Sequence, residues 1–283
     1  YHDMSLIDFL HESGLELGDV LKGDKSWTRL RREAGFPTRG GGHQEAALLK
    51  RVRALAHVDD ADRARAYRQF LADDGPAYEQ LSPVEARYAR MLFFTLWPNG
   101  GEFDSYSEGF AALRYEEAAR DELIAVVENG FDHAQHVAAP MSRRLASSPL
   151  RTHARYSREE IVAALDYAHL QRLPNSFREG VLWSEEWKSD AFLITLNKSE
   201  TDYSPTTMYQ DYAISPSLFH WETQSRTSVA SPTGQRYIHH THEGSNILLF
   251  AREHKVYELG TAPYLFLGTG QYVNHTGDRP IAI

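Results

Sequence analysis

Residues 245–253, SNILLFARE, and 262–273, APYLFLGTGQYV, place short apolar runs between Gly, Pro, Asn and polar residues. Runs of this length and composition read as strands. AFLITL at 191–196 and GQRYIHH at 234–240 are read the same way. Several short strands with one capping helix predict a small, curved, mixed barrel. That helix starts at Ser157-Arg158-Glu159-Glu160, a capping box, with Tyr156 and Ile161 placed to form a hydrophobic staple, and runs to about Leu170.

The chain upstream has another texture. Ser82-Pro83-Val84-Glu85 is a capping box with Pro at the first helical position, so a helix runs through MLFFTLW until Pro98-Asn99-Gly100-Gly101 stops it. Residues 46–71 are amphipathic, with a break near Asp59-Asp60. Residues 115–128 repeat the pattern, with Gly130 as the expected C-cap. The fold class is therefore α+β. A helical coupling or linker domain spans 1–142, and a barrel domain spans 143–283 after a Pro/Ser-rich connector.

Composition narrows the function. The 283 residues are 42% hydrophobic and 24% charged, ordinary for a globular protein. No apolar run approaches a membrane span, so no membrane partner is expected. The sequence opens at Tyr1 with no visible secretory leader, which is expected of a fragment or of a processed chain. Without cysteine there is no disulfide or thiol chemistry, which fits a cytoplasmic location. A net charge of −9 argues against blanket nucleic-acid binding. Residues 143–158 nevertheless carry five arginines and no acid except beyond their end, a local stripe able to touch phosphates. The plainer reading is a solvated linker.

Five rings fall within residues 209–221: Tyr209, Tyr212, Phe219, His220 and Trp221. Asp211 lies among them, and Gln224 and Ser225 follow. Most aromatic residues are core. Pro216 and weak alternation make this segment read as loop, however, and rings, a carboxylate and amide donors on a loop suit a planar ligand such as a flipped base. His239-His240-Thr241-His242-Glu243 could ligate a metal from one strand face, with Glu243 as base, although a turn is the plainer reading. Gly268-Thr269-Gly270 lacks the lysine and context of a phosphate loop, and Glu185-Glu186 reads as a solvated turn.

MYQDYAISPSLFHWETQSRTS (208–228), GQRY (234–237), NILLFARE (246–253) and PYLFLGTGQYVNHTGDRPIAI (263–283) together resemble the C-terminal target-recognition region of SauUSI-type modification-dependent restriction enzymes. The stretch 5–35 resembles the helical segment that precedes it in that group. The resemblance implies an SRA/PUA-like reader of duplex DNA carrying 5-methylcytosine or 5-hydroxymethylcytosine in a bacterial type IV restriction system. It implies a phospholipase-D-type nuclease and a superfamily-two helicase, with their ATP and Mg, elsewhere in the same polypeptide. This chain would carry no cofactor and no catalysis of its own. Tyr209 or Tyr212 with Trp221 or Phe219 would sandwich the base, and Asp211 would accept from its exocyclic amine. Gln224 and Ser225 would contact the base edge or adjacent phosphate. Arg226, Arg236, Arg143, Arg144, Arg151 and Arg155 would neutralise phosphates. The apolar helical faces would couple reader to motor or join two copies, unless they close their own core. A metal-dependent hydrolase and a protein-interaction module are the alternatives.

Overall fold

The computed structural model describes residues 4–177, 180–197 and 211–283. Its helices lie mostly in the N-terminal part and a mixed sheet lies in the C-terminal part, which is the α+β class. The chain divides into two compact units, Tyr1–Arg178 with Glu258–Pro263, and Glu179–Tyr257 with Tyr264–Ile283. The expected boundary at 142/143 sets out a different partition, and residues 143–177 group with the helices.

The first unit contains α1 (Leu6–Ser13), α2 (Leu17–Leu21), α3 (Trp27–Glu33), α4 (Glu45–Leu49), α5 (Ala61–Leu71), α6 (Pro83–Leu96), α7 (Tyr106–Leu113), α8 (Glu117–Asp132) and α9 (Arg158–Ala164). Short strands β1 (Ala139–Pro140), β2 (Arg151–Thr152) and β3 (Arg155–Tyr156) precede α9. Both capping boxes form. Ser82 accepts from Glu85 N–H and Ser157 from Glu160 N–H, while each glutamate reaches back to its cap residue. The break at Asp59-Asp60 is the N-cap of α5, where Asp60 accepts from Arg63 N–H at 2.9 Å. The hydrophobic run of α6 buries Met91 to Leu96, and Phe93 packs edge-on against Phe94, Tyr106 and Phe110. Gly130 does not cap α8 but lies within it. A Cβ there would come 2.7 Å from the Ala56 carbonyl oxygen, so glycine permits the close approach.

Polar groups fill the centre of this unit. Arg63 is fully buried. Its Nη1 donates to Glu160 Oε1 at 3.1 Å and its Nη2 to Asp59 Oδ1 at 3.1 Å, and its Nε lies 3.0 Å from Asp60 Oδ2. Tyr67 donates to Glu160 Oε1 at 2.6 Å, and His57 Nε2 lies 2.5 Å from Oε2. The Arg63 guanidinium lies over the Tyr156 ring, 4.2 Å from its centroid. Burial opposes ionisation of Glu160. Arg63 and His57, with hydrogen bonds from His57 and Tyr67, outweigh it and hold the carboxyl down at about 2. Asp60 shifts the other way, upward, chiefly through burial.

The second unit contains β4 (Val181–Ser184), β5 (Ser189–Thr195), β6 (Tyr212–Ser215), β7 (Leu218–His220), α10 (Pro232–Glu243), β8 (Asn246–Arg252), β9 (Val256–Tyr257) and β11 (Tyr264–Gly270), with β10 (Gly260–Thr261) belonging to the first. The strands of this unit follow the order β4-β5-β8-β11. β4 runs antiparallel to β5 and β11 antiparallel to β8, and β5 runs parallel to β8 with Leu193 opposite Phe250. β5 is buried at every position, as expected of a strand covered on both faces.

Two expectations are corrected here. The sheet is open. Closure needs tilt and stagger to bring the end strands side by side, but among the described strands β4 pairs with β5 alone, and segments that could have extended the sheet form something else. Residues 234–240 are one such segment, and they are helical. Ser231 caps α10 by accepting from Gly234 N–H, Pro232 takes the first turn and Gly244 (φ 68°) ends it. Gly234, Tyr237 and His240 are its buried stripe, at the spacing of three of one helix face.

The buried network yields a pH prediction. An unperturbed glutamate titrates near 4.3. With a depressed folded value, the Glu160 contribution is present above about pH 4.3 and is lost as pH falls toward about 2. Glu160→Gln should destabilise the chain by about 3–5 kcal/mol at neutral pH, because it leaves the buried Arg63 guanidinium underpaired. The wild-type-minus-variant stability, measured by urea unfolding across pH 2–7, should shrink with acidification. A difference that is flat with pH would remove this role.

Candidate functional site

The second unit's core is a ring cluster. Trp221 stacks on Phe192 at 3.9 Å between centroids and 22° between planes, and Tyr237 meets both rings edge-on at 5.1 and 5.6 Å. Ile194 and Ile247 complete it, and Phe219 packs against it. The backbone of Trp221 exchanges two hydrogen bonds of 2.9 Å with Ile283, and Thr223 N–H donates to the Ile281 carbonyl at 2.9 Å. Ile281 N–H in turn donates to Thr223 Oγ1 at 2.9 Å. The chain leaving the aromatic segment is therefore held against residues 281–283.

From this anchor the β6–β7 hairpin extends. Tyr212 faces His220 and Ala213 faces Phe219, with a register shift before Ser215 faces Leu218. Its turn is Ser215-Pro216-Ser217, with Ser217 N–H donating to Ser215 Oγ at 3.3 Å. Asp211, just before β6, is buried and accepts from Glu222 N–H just after β7, at 3.1 Å. That bond clamps the base of the hairpin. Beyond it every residue from 212 to 218 is exposed, with Tyr212 at 47%, Ile214 at 55% and Leu218 at 39%. The Tyr212 and His220 rings stack across the strands at 4.7 Å and 8°. No formal charge lies between Asp211 and Glu222. An isolated two-stranded ribbon is marginal in water, and this one presents apolar side chains to it.

The predicted site residues therefore separate. Tyr209 lies outside the described residues. Tyr212 is exposed on the hairpin, while Trp221 is core and Phe219 leans on that core, so Tyr212 stacks with His220 rather than with either. Asp211 carries the hairpin clamp. Gln224 is half-buried, and Ser225 and Arg226 are exposed. Arg236 grips Asp190 with two 2.7 Å hydrogen bonds and lies over Trp183 at 4.4 Å. Asp190 is fully buried, and burial raises its carboxyl against the pull of Arg236. The remaining four arginines lie in the first unit. Arg143 and Arg144 open the 3-10 turn Arg143–Ser147, with Arg144 exposed. Arg151 pairs with Asp62 at 3.1 Å and Arg155 with Asp59 at 3.3 Å.

The histidine run lies on α10, not on a strand. His239 and His242 are exposed, and buried His240 accepts from Tyr272 N–H through Nε2 at 3.0 Å, which occupies that lone pair. Among the described residues no group of three His, Cys, Asp or Glu is arranged to hold a metal ion. Nor, among them, is any helix long and apolar enough to cross a membrane. Ile214 and Leu218 were missed as surface residues. Their signal was the Ser-Pro-Ser turn between two apolar residues.

Residues 150–280, just under half of the chain, match the model of a family described as a Domain of unknown function (DUF3427). The match takes in the hairpin, its clamp and the buried Glu160. No curated protein matches the chain.

The two rings nine residues apart should behave oppositely. Trp221→Ala removes a buried indole and should cost about 3–5 kcal/mol. Tyr212→Ala should change stability by no more than about 0.5 kcal/mol. Urea unfolding of both variants checks this, and a Tyr212 cost equal to that of Trp221 would make the hairpin part of the core.

Proposed function

We propose that the second unit is the target reader of a type IV restriction system, binding duplex DNA that carries 5-methylcytosine or 5-hydroxymethylcytosine. Nuclease and helicase would lie outside this chain. The observation that carries this reading is the clamped, uncharged hairpin with Tyr212, Ile214 and Leu218 facing solvent. The resemblance of residues 208–283 to the recognition region of SauUSI-type enzymes supports it.

Proteins that open a base step do so with apolar side chains inserted from a rigid element. Ile214 and Leu218 flank the turn and have the chemistry of such a wedge. Tyr212, backed by the parallel His220 ring, offers a face to a base. Unstacking and flipping cost a few kcal/mol, which stacking at about 1–3 kcal/mol per base offsets. The neutral ribbon avoids repulsion by the phosphates, and exposed Arg226, a few residues past the clamp, supplies a cation to them. A single methyl adds only about 0.8 kcal/mol of apolar burial. Discrimination beyond a few-fold therefore depends on the unmodified base losing a contact elsewhere.

Fluorescence anisotropy with three matched duplexes at one salt concentration tests the reading. The duplexes carry cytosine, 5-methylcytosine or 5-hydroxymethylcytosine at one position. The expected result is a preference of tenfold or more, about 1.4 kcal/mol, for a modified duplex. Tyr212→Ala and the Ile214→Ser/Leu218→Ser double variant should abolish that preference without lowering the unfolding midpoint. Equal, strongly salt-dependent affinity for all three would reduce the unit to phosphate tracking. No binding at all would sink the reading and leave a protein partner for the hairpin.

A further inference from the structure

The chain leaving the hairpin builds a second feature of the same unit. Thr223 N–H donates to the Ile281 carbonyl at 2.9 Å, and Thr276 exchanges hydrogen bonds of 2.8 and 2.9 Å with Ala282. Residues 221–223, 281–283 and 276 therefore make one antiparallel ribbon, bridged at Glu222–Ala282 and at Thr276–Ala282. Two turns emerge side by side where Thr223 meets Ile281. The first is Gln224–Thr227, closed by Thr227 N–H on the Gln224 carbonyl at 2.8 Å. The second is residues 277–280, entered through Gly277 at φ 74°. Val229 N–H donates to Asp278 Oδ1 at 2.8 Å and ties one turn to the other. Each turn carries one arginine, Arg226 and Arg279. We infer that these two arginines grip backbone phosphates of the duplex that the hairpin reads, an assignment that rests on that reading.

The backbone under both side chains is set before any DNA arrives. Ser231 N–H donates to the Ser228 carbonyl at 3.0 Å and Gln235 Nε2 to the Val229 carbonyl at 2.7 Å, which fastens the first turn to α10. Thr223 is fully buried, and its Oγ1 accepts from Ile281 N–H at the root of the second turn. The arginines themselves are exposed, and among the described residues neither is drawn into an ion pair.

Two acids stand near them. Asp278 is the strut that accepts from Val229, and half-buried Glu222 belongs to the hairpin clamp through its N–H. With Arg226 and Arg279 the four charges sum to zero. The site therefore exerts no pull at long range, in keeping with a chain of net charge −9. Its value lies in contact, because a guanidinium presents a planar fork that engages phosphate oxygens bidentately. The reach also suits one duplex. The Tyr212–His220 pair lies three residues from Thr223, about 10 Å of extended chain. The grooves of B-DNA are about 6 and 12 Å wide. A base at Tyr212 and phosphates at the paired turns can thus be held together, the phosphates fixing position and the base giving specificity.

Anisotropy titrations of the full chain with the unmodified and the 5-methylcytosine duplex, across a salt series, test this. The Arg226→Gln/Arg279→Gln double variant should weaken both duplexes by the same factor, about tenfold, with an unchanged unfolding midpoint. The slope of log affinity against log salt should fall by about two, near 0.9 for each phosphate released. The ratio between the two duplexes should stay as in the wild type. Arg65→Gln, at an exposed arginine of α5, should alter neither slope nor ratio. An unchanged slope in the double variant, or an equal fall in the Arg65 variant, would overturn the assignment. So would a lost ratio with affinity for the unmodified duplex intact. Equal wild-type affinity for both duplexes with an arginine-dependent slope sinks the reader and keeps the phosphate site. A wild-type preference with an unchanged slope does the reverse, and no binding to either duplex removes both.

Discussion

The pairing of Arg63 with Glu160 is the constraint around which the helical unit is organised. Both groups are fully out of solvent, and each has charge that water would otherwise solvate at far lower cost. Arg63 meets this by contacting three carboxylates, Asp59, Asp60 and Glu160, while Glu160 adds Tyr67, His57 and the Ser157 N–H at 2.7 Å. The same carboxylate thus closes the capping box of α9 and the ion network of α5. Segments about one hundred residues apart in sequence are locked by one side chain. Neither α9 nor the turn at Asp59 can shift without stranding a buried charge. The network also divides the family match, since Glu160 lies within residues 150–280 and its partners from His57 to Tyr67 lie outside them.

Legibility followed the range of the interaction. Caps at Ser82 and Ser157 are local, made within four residues, and both were readable, as was the interruption at Asp59-Asp60. Strands β5, β8 and β11 were readable because hydrophobic runs of their length fit little else. The helix over 232–243 was not read, although Ser231-Pro232 repeats the Ser-Pro start of α6. The tyrosine and isoleucine after it suggested a strand. Open or closed sheet topology was not local information at all. For the site, the clustering of rings was visible but their division was not. Trp221 became core because Phe192, far earlier in sequence, supplied its stacking partner. Likewise Arg151 and Arg155 looked free only because Asp62 and Asp59 are about ninety residues upstream.

The hairpin shows how a surface is kept ready. The hairpin is held from beneath. Asp211 closes its base, Trp221 sits in the core, and Ile281 and Ile283 brace the outgoing chain, so exposed residues 212–218 have little structural duty. The side chains it offers outward are those that stability needs least.

The parallel pairing of β5 with β8 has a consequence for variation. A parallel pair requires a crossover, and here the crossover carries the hairpin and α10. Its ends are fixed by neighbouring strands whatever lies between. The entropy of closing such a connection grows only slowly with length, about 0.6 kcal/mol for each doubling. The segment between the Asp211 and Glu222 clamp is therefore a cassette. Ribbons of other lengths and side chains can be exchanged there while the sheet beneath keeps its register.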